Sequence, residues 1–177
     1  MSEQQEKVGA GLLRRLGAIV YDTLLVIAVL MVITFLFVPF LQGRVLVPQE
    51  VGALAYLYWL VQIAAVVTFF GYFWTRRGQT AGMLAWRLRL EQTDGANVSW
   101  PVALKRMGIL IALLIPFFAG DWLIWREWSA PQRRLMNGLA LLPLAASYLW
   151  VWIDRDRRAL HDRWSQTRVV LLPKARR

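Results

Sequence analysis

Residues 18–40 read AIVYDTLLVIAVLMVITFLFVPF, an apolar stretch carrying one charge, Asp22. A bilayer's hydrocarbon core is about 30 Å thick and takes about 20 helical residues to cross, so this stretch is long enough. Three more follow at residues 53–74 (ALAYLYWLVQIAAVVTFFGYFW), 107–125 (MGILIALLIPFFAGDWLIW) and 135–153 (LMNGLALLPLAASYLWVWI). Of all the acidic and basic side chains, only Asp22 and Asp121 fall inside the four segments. A soluble bundle would show charged and apolar stripes with a period of 3.6. These segments are apolar all round, which predicts an all-α membrane protein with four transmembrane helices.

Composition agrees. The chain of 177 residues is 58% hydrophobic with a net charge of +10 and a mean hydropathy of +0.42. An average soluble domain is about 45–50% apolar. The basic excess flanks the apolar runs, so it argues for headgroup contact and against a nucleic-acid face. No cysteine is present, which removes disulfides and thiolate chemistry. Arg14 and Arg15 precede the first segment as in a twin-arginine signal. However, the apolar run is longer than an h-region of about 7–15 residues and no A-x-A site follows, so the segment is expected to remain as a helix.

Orientation follows from the Lys and Arg distribution. With both termini in the cytoplasm, 17 of these cations lie inside and 4 outside (Arg44, Arg126, Arg133 and Arg134), as the positive-inside rule requires. Trp122, Trp125 and Trp128 would mark the outer interface, and Trp74, Trp100, Trp150 and Trp152 the inner one. The expected organisation is a cytoplasmic N-terminus (1–17), the four-helix membrane domain (18–153) and a basic cytoplasmic tail (154–177), in a cell inner membrane.

Two cytoplasmic stretches carry further structure. Within residues 75–106, Trp86, Leu88 and Leu90 alternate with Arg87, Arg89 and Glu91, the period of a half-buried strand. Thr93, Asp94 and Gly95 supply a turn. Ser99, Trp100 and Pro101 read as a cap with proline in the first helical turn, which starts the third helix before the membrane and leaves Lys105 and Arg106 at the inner headgroups. In the tail, residues 167–172 (TRVVLL) form a second β-like run. The two runs either pair in a small sheet or lie separately on the headgroups as amphipathic pieces.

Taken in order, several motifs resemble the RDD family of bacterial membrane proteins. They are Arg14 and Arg15 before the first helix, Asp22 within it, GQTAGM at residues 78–83, the strand before the Asp-Gly turn, and LHDR at residues 160–163 leading into TRVV. The resemblance spans roughly residues 12–172. It implies a signature of one arginine (Arg15 or Arg14) and two aspartates: Asp22, with Asp162 a better match than Asp154 for the second. It also implies transport, with cation/proton exchange proposed for some members of the family.

An ionisable group within the membrane is a functional candidate, so Asp22 needs an account. Arg15 shares its face but lies about 10 Å away along the axis and leans the other way. Arg15 is therefore expected to meet an acid of the tail, such as Asp162, and Asp22 to face Tyr148 or Ser147. Asp121, within reach of Asn137, together with Gln62 and Asp22 would form a sparse polar ladder across the bundle. Gln62 also fits interhelical hydrogen bonding, and Asp121 interfacial snorkelling. Pro116 and Pro143 should disturb the third and fourth helices. His161, the lone histidine, is expected to hold the tail.

No G-x-S-x-G, H-E-x-x-H or P-loop motif occurs, so no enzyme, cofactor or metal site is expected. Two functions fit these residues. One is a small transporter or cation/proton-handling protein using Asp22, formed as a homo-oligomer because four helices make a thin wall. The other is an accessory or scaffolding protein, working with a membrane-protein partner, in which Arg15, Asp22 and Asp162 form a structural clasp. In both, the basic tail grips anionic inner-leaflet lipid.

Overall fold

The computed structural model describes residues 8–120 and 127–173. Among these, four helices are long and apolar enough to cross a membrane. They are α1 (Leu12–Leu41), α3 (Ala53–Arg76), α5 (Trp100–Ala119) and an interrupted fourth span made of α6 (Ala130–Ala140), α7 (Leu142–Leu149) and a 3-10 turn, Trp150–Trp152. A short helix, α2 (Pro48–Val51), lies between α1 and α3. The sheet is small and two-stranded, so the architecture is mostly helical.

The helices extend past the apolar windows for identifiable reasons. α1 begins at Leu12 rather than at residue 18 because Leu12, Arg15 and Ala18 form one buried stripe that continues out of the membrane segment. α5 starts at Trp100 with Ser99 as its cap residue and Pro101 in its first turn, as the sequence implied. The fourth span starts at Ala130, ahead of residue 135, because Ser129 and Gln132 form a reciprocal capping box. It divides at Leu141, just before Pro143, which has no N–H to continue the helical ladder. Pro116 stays within α5. Asp121, Trp122 and Trp125 lie outside the described residues.

Under one end of the spans sits a cap. It contains α4 (Ala81–Ala85), β1 (Leu88–Gln92), α8 (Leu160–Trp164) and β2 (Thr167–Leu171). The strands pair antiparallel, with Leu88 opposite Leu171 and Gln92 opposite Thr167. The pairing reading therefore holds, and the two runs do not lie apart. The first strand starts at Leu88, not Trp86: Trp86 closes α4, and Arg87 turns the chain with φ 55° before extension begins.

Neither edge of this sheet is left bare, which removes the exposed donors and acceptors that make edge strands sticky. On the β2 side, Ala10 N–H bonds Val169 O at 2.9 Å and Leu171 N–H bonds Val8 O at 3.0 Å. The segment ahead of the first apolar run, from Val8 to Ala10, is thus built into the cap. On the β1 side, Leu90 N–H bonds Gly78 O at 2.7 Å. Leu88, Leu90 and Val169 face a core that also holds Trp74, Met83, Ala103 and Met107.

The spans pack as an open row. α1 packs on α3 and α4, α3 on α5, and α5 on α6 and α7; among the described residues α1 makes no comparable packing with α5 or the fourth span.

Gly78 has φ +66°, and a Cβ there would press on the Leu90 carbonyl. Left-handed backbone costs a non-glycine residue about 1–2 kcal/mol. Gly78→Ala should therefore lower thermal stability in detergent by at least about 1–2 kcal/mol. Gly108, by contrast, sits within a helix and has open space around it, so Gly108→Ala should leave stability unchanged or raise it by about 0.5–1 kcal/mol.

Candidate functional site

The carboxylate of Asp162 is fully buried and placed between two guanidiniums. Its Oδ2 accepts from Arg15 Nη1 at 2.5 Å and its Oδ1 from Arg106 Nη1 at 2.5 Å. Oδ2 also accepts the Ala159 N–H at 3.0 Å, which fastens the carboxylate to the first turn of α8. Arg15 spends its remaining nitrogens on backbone, with Nε donating to Ala10 O at 3.1 Å and Nη2 to Arg157 O at 2.9 Å. Arg106 Nη1 also donates to Thr167 Oγ1 at 2.6 Å, and the guanidinium carbon lies 5.5 Å from the Trp74 ring centre, a cation–π distance. One anion thus joins α1, α5, α8 and the start of β2.

Burial alone would raise the pKa of Asp162, but the Arg106 and Arg15 charges outweigh it and hold the carboxyl well below its usual range. His161, also fully buried, accepts a different load. Its Nδ1 lies 2.8 Å from Ser147 Oγ, its backbone N–H donates to the same oxygen at 3.1 Å, and its ring packs on Tyr148 with centres 4.7 Å apart. Burial first, then the Arg106 and Arg15 charges, push its pKa from 6.5 down to about 3. His161 is therefore neutral at pH 7 and holds the tail on the fourth span.

Asp22 does not meet Tyr148 or Ser147. α4 packs on α1 and reaches it first: Thr80 Oγ1 donates to Oδ2 at 2.5 Å and Gly82 N–H to Oδ1 at 2.9 Å. Thr80 Oγ1 in turn accepts from Met83 N–H at 3.2 Å, capping α4. Gly82 permits this approach because a Cβ would strike the Ala18 carbonyl and the Asp22 carboxyl. Gln79 Nε2 bonds Leu88 O at 2.6 Å, tying the same loop to β1.

The expected polar ladder is not continuous among the described residues. Gln62 Nε2 donates to Tyr58 Oη at 2.7 Å and to Thr34 Oγ1 at 3.1 Å, joining α3 to the far half of α1. Asp121 lies outside the described residues. From Asp22 to the cap runs a cavity of about 310 Å³ whose walls include Val66, Val67, Phe70, Leu110 and Leu114, and none of the Gln62 cluster lines it. Its polar lining comes from Arg15, Asp22, Arg106 and Tyr148.

Arg15, rather than the half-buried Arg14, enters the clasp. Asp154 serves Arg158 and Arg163 instead. Arg106 was missed by the sequence reading, which grouped it with Lys105 at the headgroups. A helical-face count separates them, since Ala103, Arg106 and Met107 are buried at i, i+3 and i+4 while Lys105 is exposed.

The family model described as RDD family matches residues 9–166, most of the chain. The chain belongs to the RDD family. Comparison with curated proteins and with solved structures gives no match. In this RDD chain, the arginine and the aspartate of the tail meet directly in the clasp, whereas the aspartate of the first helix holds the α4 loop.

Removing one partner of a buried ion pair costs about 3–5 kcal/mol, whereas a hydrogen bond to a charged group is worth about 1.5–3 kcal/mol. Asp162→Asn should therefore reduce thermal stability more than Asp22→Asn. The pH response follows from His161. Between pH 6.5 and about 3 the unfolded chain takes up the imidazole proton and the folded chain refuses it, so stability falls as pH falls through that window. A melting series in detergent should show this slope, and His161→Gln should flatten it. Asp162, with its depressed pKa, keeps its contribution at every pH above about 4.

Proposed function

We propose that this RDD protein is a non-catalytic accessory or scaffolding protein of the cell inner membrane. Its spans carry a rigid cap on the cytoplasmic side, to which a membrane-protein partner is recruited. The observation carrying this reading is that both signature aspartates are occupied: Asp162 by Arg15 and Arg106, and Asp22 by Thr80 and Gly82. A carboxylate held by two donors inside the fold is built for position. Charge supports the orientation, since Arg76, Arg77, Lys105, Arg155 and Arg163 are exposed around the cap end, where they would meet anionic inner-leaflet headgroups.

The second reading, cation or proton transport through Asp22, draws support from the cavity that reaches this residue. Its difficulty is that the cavity does not reach the Gln62 cluster, and the α1 stretch between Asp22 and Thr34 is almost wholly apolar, which offers an ion no ligands for its lost water. Liposomes loaded with the purified protein, under imposed pH and Na⁺ gradients, decide between the two. The expected result is no flux above empty liposomes for wild type or Asp22→Asn, with a lower melting temperature for the variant. Flux in wild type that Asp22→Asn abolishes while the fold survives would overturn the accessory reading.

A further inference from the structure

The cavity has a second property that neither reading uses. Its floor is the sheet, through Leu88, Leu90 and Val169, and its walls are α1, α3 and α5. α1 and α5 scarcely pack on each other, and of the fourth span only Tyr148 enters the lining. Ile19 and Ile111, which line it from α1 and α5, are both exposed on the lipid-facing surface. Side chains so apolar and exposed on two spans would meet acyl chains in a bilayer. Its volume of about 310 Å³ is at the small end of ligand cavities, about 300–1,000 Å³, which suits one alkyl chain better than two.

At the cap end of this apolar space stands Arg106, about 95% buried. Of its nitrogens, Nη1 alone donates to described residues, to Asp162 and Thr167, and Nε has no partner. A buried guanidinium with unmet N–H groups is costly until an acceptor arrives, and its planar fork matches an oxyanion. Beside it in the lining is Tyr148, a hydroxyl donor. The other charges facing the space are accounted for: Arg15 spends all three nitrogens, and Asp22 is held by Thr80 and Gly82. The clasp itself has two cations and one anion; Asp22, whose donors Thr80 and Gly82 are neutral, is the other carboxylate facing the space, so the excess positive charge is local to Arg106 at the cap end.

We propose that this cavity binds a single-chain anionic amphiphile entering from the bilayer, with its carboxylate or phosphate head on Arg106 and Tyr148 and its alkyl chain between α1, α3 and α5. The inference goes beyond the accessory role and does not depend on it.

The test uses the full chain in phosphatidylcholine nanodiscs, reading radiolabelled dodecanoate bound in excess of empty nanodiscs, under alkaline conditions that ionise the carboxylate. Unlabelled competitors of equal chain length carry a carboxylate, a phosphate monoester, an alcohol or a trimethylammonium head. The anionic competitors should displace the label at least about tenfold better than the alcohol, a difference of about 1.4 kcal/mol, and the ammonium should be weakest. Whichever of carboxylate and phosphate competes better identifies a free fatty acid or a lysophospholipid-type source. Val67→Trp and, independently, Leu114→Trp fill the slot without touching the clasp, and each should lower bound dodecanoate at least about tenfold with melting temperature retained. Tyr148→Phe should weaken the carboxylate several-fold and leave the alcohol unchanged. Equal displacement by alcohol or ammonium, or undiminished binding in both tryptophan variants, would overturn the proposal.

Discussion

A carboxylate taken out of water survives as an ion only if cations and donors replace its hydration. Asp162 meets that condition with two guanidiniums and a backbone N–H. The requirement runs in both directions, because Arg15 and Arg106 are themselves buried at the cap end of the spans and each would be costly alone. The result is a three-charge knot that sets the distance between α1 and α5 although these helices scarcely touch. The sheet, α8 and the α4 loop are arranged around it, and the cavity exists because the knot holds two helices together at one end only.

The GQTAGM loop shows how a short motif divides its labour. Gly78 takes a left-handed turn and lends its carbonyl to β1, Gln79 bonds the strand again, Thr80 caps α4 while donating to Asp22, and Gly82 omits a Cβ so that α4 can lie against α1. Each residue type answers a local backbone demand. Asp22 receives its partners from a loop that is also tied to β1 through Gly78 and Gln79 and to the core through Met83.

What was legible in the sequence was whatever depends on neighbours in the chain. Apolar run length gave four spans, alternation gave the first strand, a β-like run in the tail gave the second, and Ser99 with Pro101 gave the start of α5. Legibility failed where the deciding contact is distant. Arg15 and Asp162 are 147 positions apart, and Asp22 and Thr80 are 58, separations at which periodicity carries no information. The first pair was reachable by counting charges near one interface. The second was not, because a five-residue helix such as α4 leaves too short a pattern to announce its docking face. Arg106 hid in a basic cluster, where its charge read as headgroup contact although its helical face was that of the core.

The order of the chain gives the knot a temporal meaning. Asp162 and β2 follow all four spans, and synthesis proceeds from the N-terminus, so Arg15 and Arg106 are made before their shared counter-ion. During that interval no carboxylate joins Arg15 to Arg106, and no ion pair links α1 to α5. Arrival of α8 ends the interval by drawing both cations under cover. A chain halted short of this point carries two guanidiniums without their shared carboxylate beside an unpaired β1, charge and strand edge both left open.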